Sequence, residues 1–132
     1  MDLRILEIAS YTDNNKVLSN PTHNFKNKNP LCGDEMQISL IIKDNKITDF
    51  GYQCKSCVYC QASVSLLSKN TLNKKLLNVE NLLKIAETFF EKENAKFPKE
   101  WSIFNKIFNK KNFSRKECLL LPFKTLSKAL NL

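Results

Sequence analysis

The chain has 132 residues, of which 42% are hydrophobic, and its formal net charge is +8. This length favours a single domain spanning residues 1–132, and this apolar content excludes a disordered chain. The sequence has no apolar run near the roughly 18 residues of a membrane span and no apolar signal core at its start, so we expect a cytoplasmic protein without membrane contact. Lysine is interleaved with asparagine along the chain. This pattern is typical of solvated faces, and we expect no nucleic-acid partner.

The first part of the sequence predicts a short helix, a loop and one weak strand. Leu3, Leu6 and Ile8 have the spacing of a helix face, and the Asp-Asn-Asn run at residues 13–15 is typical of a turn. Residues 23–28 predict a short edge strand.

A β-hairpin follows. Ile38, Leu40 and Ile42 alternate with other residues, as in a strand with one apolar face. The Asp-Asn pair at residues 44–45 predicts a tight turn, after which residues 47–52 return as the antiparallel partner. The two outer ends of this hairpin should therefore lie side by side.

Helical spacing begins after the hairpin. One helix should open at Cys57, with Ser56 as its N-cap. A second, strongly amphipathic helix covers residues 79–90, and a third with several aromatic residues follows Pro98 over residues 99–108.

A last helix should begin at the S-x-x-E capping box of residues 114–117. Cys118 then lies in its first turn, and Pro122 should kink it. Together these elements predict an α+β fold: a small antiparallel sheet of about three strands, packed against a helical C-terminal half.

The cysteine thiols are the candidate metal-binding or reactive groups. The chain has five cysteines, an odd number, and no secretory signal, which argues against a disulfide framework and for metal or sulfur chemistry. Cys54, Cys57 and Cys60 form a C-x2-C-x2-C run. We expect Cys32, Cys57 and Cys118 to meet in one site, since Cys32 and Cys57 flank the hairpin. The alternative is that these thiols are small buried apolar groups.

A stable site usually needs a fourth ligand, for which Asp34 and Glu117 are both candidates. Thiolates are soft ligands that suit iron–sulfur clusters and zinc, and a carboxylate as the fourth ligand would make such a site more labile than four cysteines would. Cys54 and Cys60 are secondary ligand candidates. The lone His23 is expected to be an ordinary surface or core residue.

Three blocks of sequence then carry a family resemblance. Residues 29–34 read Asn-Pro-Leu-Cys-Gly-Asp and resemble the motif N-P-x-C-G-D. Residues 57–65 place Ala-Ser-Val-Ser after a cysteine, like the hallmark A-S-x-S, and residues 115–121 resemble R-x-K-C-x-x-L. In this order, over nearly the whole chain, the blocks resemble the U-type iron–sulfur cluster assembly scaffolds, the group of IscU, SufU and the N-terminal domain of NifU.

The resemblance implies a function and a set of site residues. A cysteine desulfurase would deliver persulfide sulfur, iron would bind, and a [2Fe–2S] cluster would be assembled and passed to acceptor proteins. Cys32, Asp34, Cys57 and Cys118 match the ligand positions of the family. Cys118 would accept the persulfide, with Asp34 in the same reacting site, and Zn²⁺ can occupy the site without a cluster. Such a protein is a carrier rather than an enzyme.

The chain departs from the family pattern in three places, and the last of these favours the SufU-like or NifU-like branch. Cys54 and Ser56 replace the glycines usual before the second cysteine, and Glu117 stands where some members have a histidine ligand. The segment that a dedicated chaperone recognises before the third cysteine is not evident.

Other functions stay open from the residues alone. The same side chains would serve a zinc-dependent sulfurtransferase that relieves a desulfurase of its persulfide. The C-x2-C-x2-C run also occurs in bacterial ferredoxins, although the fourth cysteine of that motif is missing here. The positive charge alone suggests a zinc-stabilised nucleic-acid-binding module.

Overall fold

The computed structural model describes residues 3–31 and 33–132. Within that part the chain has the predicted α+β fold, with one antiparallel sheet and helices before and after it. The elements are α1 (Leu3–Ala9), β1 (His23–Lys28), β2 (Glu35–Lys43), β3 (Lys46–Lys55), α2 (Val58–Thr71), α3 (Leu76–Thr88) and α4 (Lys116–Ala129). Three 3₁₀ helices lie between α3 and α4, at Phe89–Glu91, Lys99–Lys106 and Lys110–Arg115.

The sheet is a meander in the order β1-β2-β3. The predicted hairpin is confirmed: Asp44 and Asn45 both have positive φ, at 54° and 60°, as a two-residue type I′ turn requires. β2 and β3 pair from Lys43↔Lys46 to Glu35↔Lys55, with one irregularity near Ile42. This register determines which residues meet beyond the open end of the hairpin.

The core lies between the inner face of the sheet and the helices. α4 packs against α2, α3, β1 and β2, and therefore occupies the centre of the molecule. The alternation in β2 and β3 places one set of side chains in the core: Met36, Ile38, Leu40, Ile47, Phe50 and Tyr52. Burial of these apolar surfaces is the main force that holds the sheet to the helices.

The segment after α1 covers the open edge of β3. The N–H of Tyr52 donates to the carbonyl of Asn14 at 3.0 Å, and the buried Asn14 amide donates to Ser68 Oγ at 3.1 Å. A Cβ at Gly51 would lie 2.6 Å from the carbonyl oxygen of Lys16. Glycine is therefore required at residue 51, and the edge strand is protected from pairing with another chain.

Aromatic rings fill the space between α3 and α4. Neighbouring ring centroids lie 5.1 to 5.6 Å apart in stacked, tilted and edge-to-face pairs among Phe89, Phe97, Phe104, Phe108 and Phe123. These five rings belong to the core, each no more than 7% exposed.

Two predicted helix caps are wrong. Cys57, not Ser56, is the N-cap of α2, because β3 continues to Lys55 and delays the helix. The Ser114 capping box does not form either: a 3₁₀ helix runs through Ser114, and Arg115 is the N-cap of α4. The third predicted helix is a 3₁₀ helix, in which Trp101 departs from helical dihedrals.

Among the residues that the structure describes, no helix has both the length and the apolar content to cross a membrane.

Candidate metal centre

Three side chains from separate parts of the chain meet beyond the open end of the hairpin. One ligand atom each of Asp34, Cys57 and Cys118 lies within 4.8 Å of the other two. Asp34 and Cys57 are half-buried, and Cys118 is buried. Asp34 precedes β2, Cys57 lies between β3 and α2, and Cys118 lies in the first turn of α4.

The sheet register brings Asp34 to Cys57. Glu35 pairs with Lys55 in the last step of the antiparallel ladder, so the residues one step further on lie opposite each other. The Asp34 Oδ2 atom accepts a hydrogen bond from the backbone N–H of Cys57 at 3.4 Å. This contact satisfies an N–H group at the start of α2, which has no side-chain cap of its own.

Asn29 and Gly33 shape the loop before β2. The buried Asn29 accepts the N–H of Leu31 on its Oδ1 atom at 2.9 Å. Its backbone accepts from Gly33 N–H and donates to the carbonyl of Asp34, both at 2.8 Å. Gly33 has a φ of +77°, which favours glycine. The Asn and Gly of the motif at residues 29–34 thus position the aspartate.

α2 and α4 hold Cys118 against Cys57. The buried Ser63 hydroxyl donates to the carbonyl oxygen of Leu119 at 2.6 Å. Pro122 has no N–H, so it donates no helical hydrogen bond to the carbonyl of Cys118 four residues earlier. The Ser63 hydrogen bond therefore ties α4 to α2 one residue after Cys118.

A second link joins the same two elements at the surface. The guanidinium carbon of Arg115, the N-cap of α4, lies 5.2 Å from the centroid of the Tyr59 ring in the first turn of α2. A cation–π contact of this kind contributes about 0.5–1 kcal/mol at an exposed site. It connects the starts of the two helices that carry Cys57 and Cys118.

The donor atoms suit a soft or borderline metal. Thiolates bind zinc and the iron of iron–sulfur clusters, and a carboxylate oxygen is a harder ligand that zinc also accepts. Cys57 and Cys118 both lie at helix N-termini, where the helix dipole favours a thiolate. The arrangement can therefore hold a metal ion or an iron–sulfur cluster.

The structure separates the two carboxylate candidates. Asp34 belongs to the convergent group, whereas Glu117 Oε2 lies 3.4 Å from Lys124 Nζ along α4. His23 lies in β1 with its Nδ1 atom 2.9 Å from Thr22 Oγ1, and it is not part of the group. Cys32 lies outside the described residues. The ligand roles of Cys32, Asp34, Cys57 and Cys118 stay predictions.

Cys54 and Cys60 lie around the site without joining the convergent group. Both are free thiols; Cys54 is half-buried and Cys60 is fully buried. Burial raises the pKa of each thiol, and the nearby Ser56 hydroxyl lowers it in part.

Sequence reasoning missed the two links between α2 and α4. Ser63 belongs to the A-S-x-S block, but its partner Leu119 is 56 positions away. Tyr59 and Arg115 are equally distant in sequence. The one signal available was that Ser63 lies among apolar residues, where a hydroxyl needs a partner.

A comparison with models of protein families identifies the family to which this chain is related. The sequence model of the NifU-like N-terminal domain matches residues 7–102. The chain belongs to this family. The match includes Asp34 and Cys57, whereas Cys118 lies beyond it. The resemblance stated from the three sequence blocks is therefore confirmed.

Curated relatives of this NifU-like chain extend the comparison past residue 102. A protein of Thermotoga maritima named iron-sulfur cluster assembly scaffold protein IscU is 29% identical over 127 residues, which cover 96% of this chain and 89% of that protein. An uncharacterised protein of Borreliella burgdorferi is 31% identical over 120 residues, covering 89% of this chain and 81% of its own length.

Two solved structures share the fold of this NifU-like chain with a TM-score of 0.88 each. One is a putative iron-sulfur cluster assembly scaffold protein for the SUF system from Fervidobacterium islandicum, 24% identical, covering 98% of this chain and 96% of that one. The other is a NifU-like protein (N-terminal) from Brucella abortus, which is 23% identical; the match covers 98% of this chain and 91% of that one. At these identities the likeness concerns the fold.

Proposed function

We propose that this protein is an iron–sulfur cluster assembly scaffold. It accepts sulfur from a cysteine desulfurase, binds iron, assembles a [2Fe–2S] cluster and transfers the cluster to acceptor proteins. The observation that carries the proposal is the convergence of Asp34, Cys57 and Cys118 within 4.8 Å. Membership of the NifU-like family and the name of the Thermotoga relative support it.

The cluster is cargo in this proposal. Cys32, Cys57 and Cys118 supply thiolates, and Asp34 supplies the fourth, harder ligand. A carboxylate binds iron less tightly than a thiolate does, so the cluster leaves more readily than it would from four cysteines. The protein acts as a carrier in the cytoplasm, as one domain over residues 1–132, without turnover of its own.

Cys118 is the proposed persulfide acceptor. Its place in the first turn of α4 puts the thiol in the positive field at the N-terminal end of the helix dipole. This field favours the thiolate, which is the form that attacks the persulfide of a desulfurase. Asp34 and Cys57 then lie beside the arriving sulfur.

Anaerobic reconstitution tests the proposal. The protein is mixed with ferrous iron, sulfide and a thiol reductant, and the visible spectrum of the product is recorded before and after addition of an apo-ferredoxin. We expect a cluster chromophore that moves to the ferredoxin. C57A should lose the chromophore, and C54A is the matched control because Cys54 is a free thiol three residues earlier and outside the convergent group. An unchanged chromophore in C57A would overturn the ligand set.

A zinc-dependent sulfurtransferase is the second candidate. The observation in its favour is that the Asp34 carboxylate and the Cys57 and Cys118 thiols also suit tetrahedral zinc. Metal analysis of freshly purified protein and turnover assays with a desulfurase separate the two functions. One tightly held zinc per chain, together with faster desulfurase turnover, would support this second candidate. Exchange of the metal for a transferable cluster would support the scaffold.

A further inference from the structure

Cys57 and Cys60 form a Cys-x-x-Cys pair at the start of a long helix. Cys57 is the N-cap of the 14-residue helix α2, with extended dihedrals of φ −71° and ψ 167°. Its carbonyl accepts the first helical hydrogen bond, from Gln61 N–H at 3.0 Å. Cys60 is the third residue of the helix. An N-cap side chain reaches toward the third helical residue, as capping boxes show.

The spacing permits a disulfide between these two cysteines. Residues three apart in a helix have Cα atoms about 5 Å apart, within the range of roughly 4.4–6.8 Å that disulfides span. The dithiol is also asymmetric: Cys57, in the convergent group, is half-buried, and Cys60 is fully buried. Thiol–disulfide oxidoreductases place an accessible attacking cysteine at a helix N-terminus and a second cysteine three residues later.

Ser56 is the independent observation at this pair. Its hydroxyl is buried beside the thiols of Cys54 and Cys60, and buried hydroxyls are nearly always paired. It lies close enough to Cys54 and Cys60 to affect the pKa of both thiols. A hydroxyl in this position can donate to a sulfur that becomes negatively charged during thiol exchange.

We propose that Cys57 and Cys60 are a redox-active dithiol that reduces the persulfide sulfur on Cys118 to sulfide. The inference rests on the proposed function, in which Cys118 receives that sulfur. Assembly of a [2Fe–2S] cluster requires sulfide, whereas a desulfurase supplies sulfur that is two electrons more oxidised. The dithiol provides those two electrons within the same chain.

The reaction balances in two exchange steps. The Cys57 thiolate attacks the inner sulfur of the Cys118 persulfide, which lies within 4.8 Å of it. A Cys57–Cys118 disulfide forms, the bond to the outer sulfur breaks, and that sulfur leaves as hydrosulfide with the proton that it carried in the persulfide. The proton of Cys57 goes to solvent when its thiolate forms. Cys60 then attacks the sulfur of Cys57, a Cys57–Cys60 disulfide forms, and Cys118 leaves as a thiol with the proton of Cys60.

The state of the dithiol also controls the metal site. In the disulfide form, Cys57 cannot bind iron or zinc, because metal binding requires the thiolate. A soluble dithiol reductant returns both thiols by exchange. Cys57 therefore cannot bind iron between the release of sulfide and the re-reduction of the disulfide, so recovery of the ligand set follows sulfide release.

Mass spectrometry can read each bond separately. Trypsin cleaves after lysine and arginine, so Cys57 and Cys60 fall together in the peptide of residues 56–69. Cys54 falls in residues 47–55, and Cys118 falls in residues 117–124. An internal disulfide in residues 56–69 removes two hydrogen atoms from that peptide, whereas a Cys57–Cys118 disulfide joins two peptides.

The experiment loads the metal-free, reduced protein with a desulfurase and L-cysteine, removes both, and measures sulfide release without added reductant. The wild type should release one sulfide per chain and show the disulfide within residues 56–69. C60A should release sulfide once and accumulate the Cys57–Cys118 disulfide. C54A is the matched control and should behave like the wild type. Persulfide that persists on wild-type Cys118, or a wild-type disulfide that involves Cys54, would overturn the inference.

Two further measurements separate this inference from the proposed function. Oxidation by glutathione disulfide, without any persulfide, should form the internal disulfide in the wild type; its absence at full oxidation would overturn the inference even if C60A folds poorly. Reconstitution with inorganic sulfide bypasses the dithiol, so C60A should assemble a cluster there as the wild type does. Failure of both proteins in that assay would count against the scaffold function instead.

Discussion

Removal of the Ser63 hydroxyl tests how the fold positions Cys118. Ser63→Ala deletes a buried hydrogen bond of 2.6 Å and leaves the carbonyl of Leu119 without this donor, next to the break at Pro122. A buried hydrogen bond contributes about 0.5–1.5 kcal/mol net, so the free energy of unfolding in urea should fall by that amount. Since Leu119 adjoins Cys118, the affinity of the Asp34, Cys57 and Cys118 site for Co²⁺ should also fall. The expected loss is roughly five- to tenfold, which corresponds to about 1–1.4 kcal/mol.

Ser65→Ala is the matched control for this prediction. Ser65 is also buried, and its hydroxyl donates to the carbonyl of Tyr11 at 2.8 Å, away from α4. The control should lose similar stability and keep its cobalt affinity, which is read from the thiolate-to-cobalt absorption of each variant. Equal losses of cobalt affinity in the two variants, or no loss in either, would refute the claim that Ser63 positions Cys118.

Three other predictions follow from the same structure. A double-mutant cycle of Tyr59→Leu and Arg115→Ala should give a coupling free energy of about 0.5–1 kcal/mol in urea unfolding, because the Tyr59 ring and the Arg115 guanidinium are in contact. A coupling of zero would exclude a stabilising contact. Gly51→Ala should lower the unfolding free energy by about 1–3 kcal/mol, because its Cβ would meet the Lys16 carbonyl, and a neutral substitution would contradict this packing. Burial raises the pKa of Tyr52 from 10.0 to about 12, so the native state binds the phenol proton more tightly than the unfolded state does. The free energy of unfolding should therefore fall as the pH rises from 10 to 12. Tyr52→Phe should reduce that fall, and an identical pH profile would show that Tyr52 does not contribute.

The hairpin and the position of the site were predictable because their signals are local. Asp44 and Asn45 adopt the positive φ values that their turn needs, and the alternation in β2 identifies the buried face. Once this register is known, the residues just before β2 and just after β3 must be neighbours. The convergence of Asp34 and Cys57 follows from that geometry.

The helix caps and the links between helices were not predictable in the same way. Ser56 and Ser114 both fit a local capping pattern, but the extent of β3 and the 3₁₀ helix before α4 decide where each helix begins. Tertiary packing sets those boundaries, and it overrides local preference. The partner of Ser63 depends on how α2 and α4 cross, which no spacing within either helix determines.

The choice between Asp34 and Glu117 as the carboxylate ligand was only partly predictable from the sequence. Both are acidic residues next to or near a cysteine in the sequence. The ladder of β2 and β3 turns Asp34 toward Cys57, whereas Glu117 reaches along α4 to Lys124. Only the relative orientation of the hairpin and α4 distinguishes them.

X-ray absorption at the zinc edge of the zinc-loaded protein tests the central claim most directly. We expect three sulfur ligands at about 2.3 Å, from Cys32, Cys57 and Cys118, and one oxygen at about 2.0–2.2 Å, from Asp34. C57A should lose one of the sulfur ligands, and C54A should keep all three. A site of four sulfur atoms would bring in Cys54 or Cys60 and exclude Asp34. That result, or a shell without sulfur, would contradict the account.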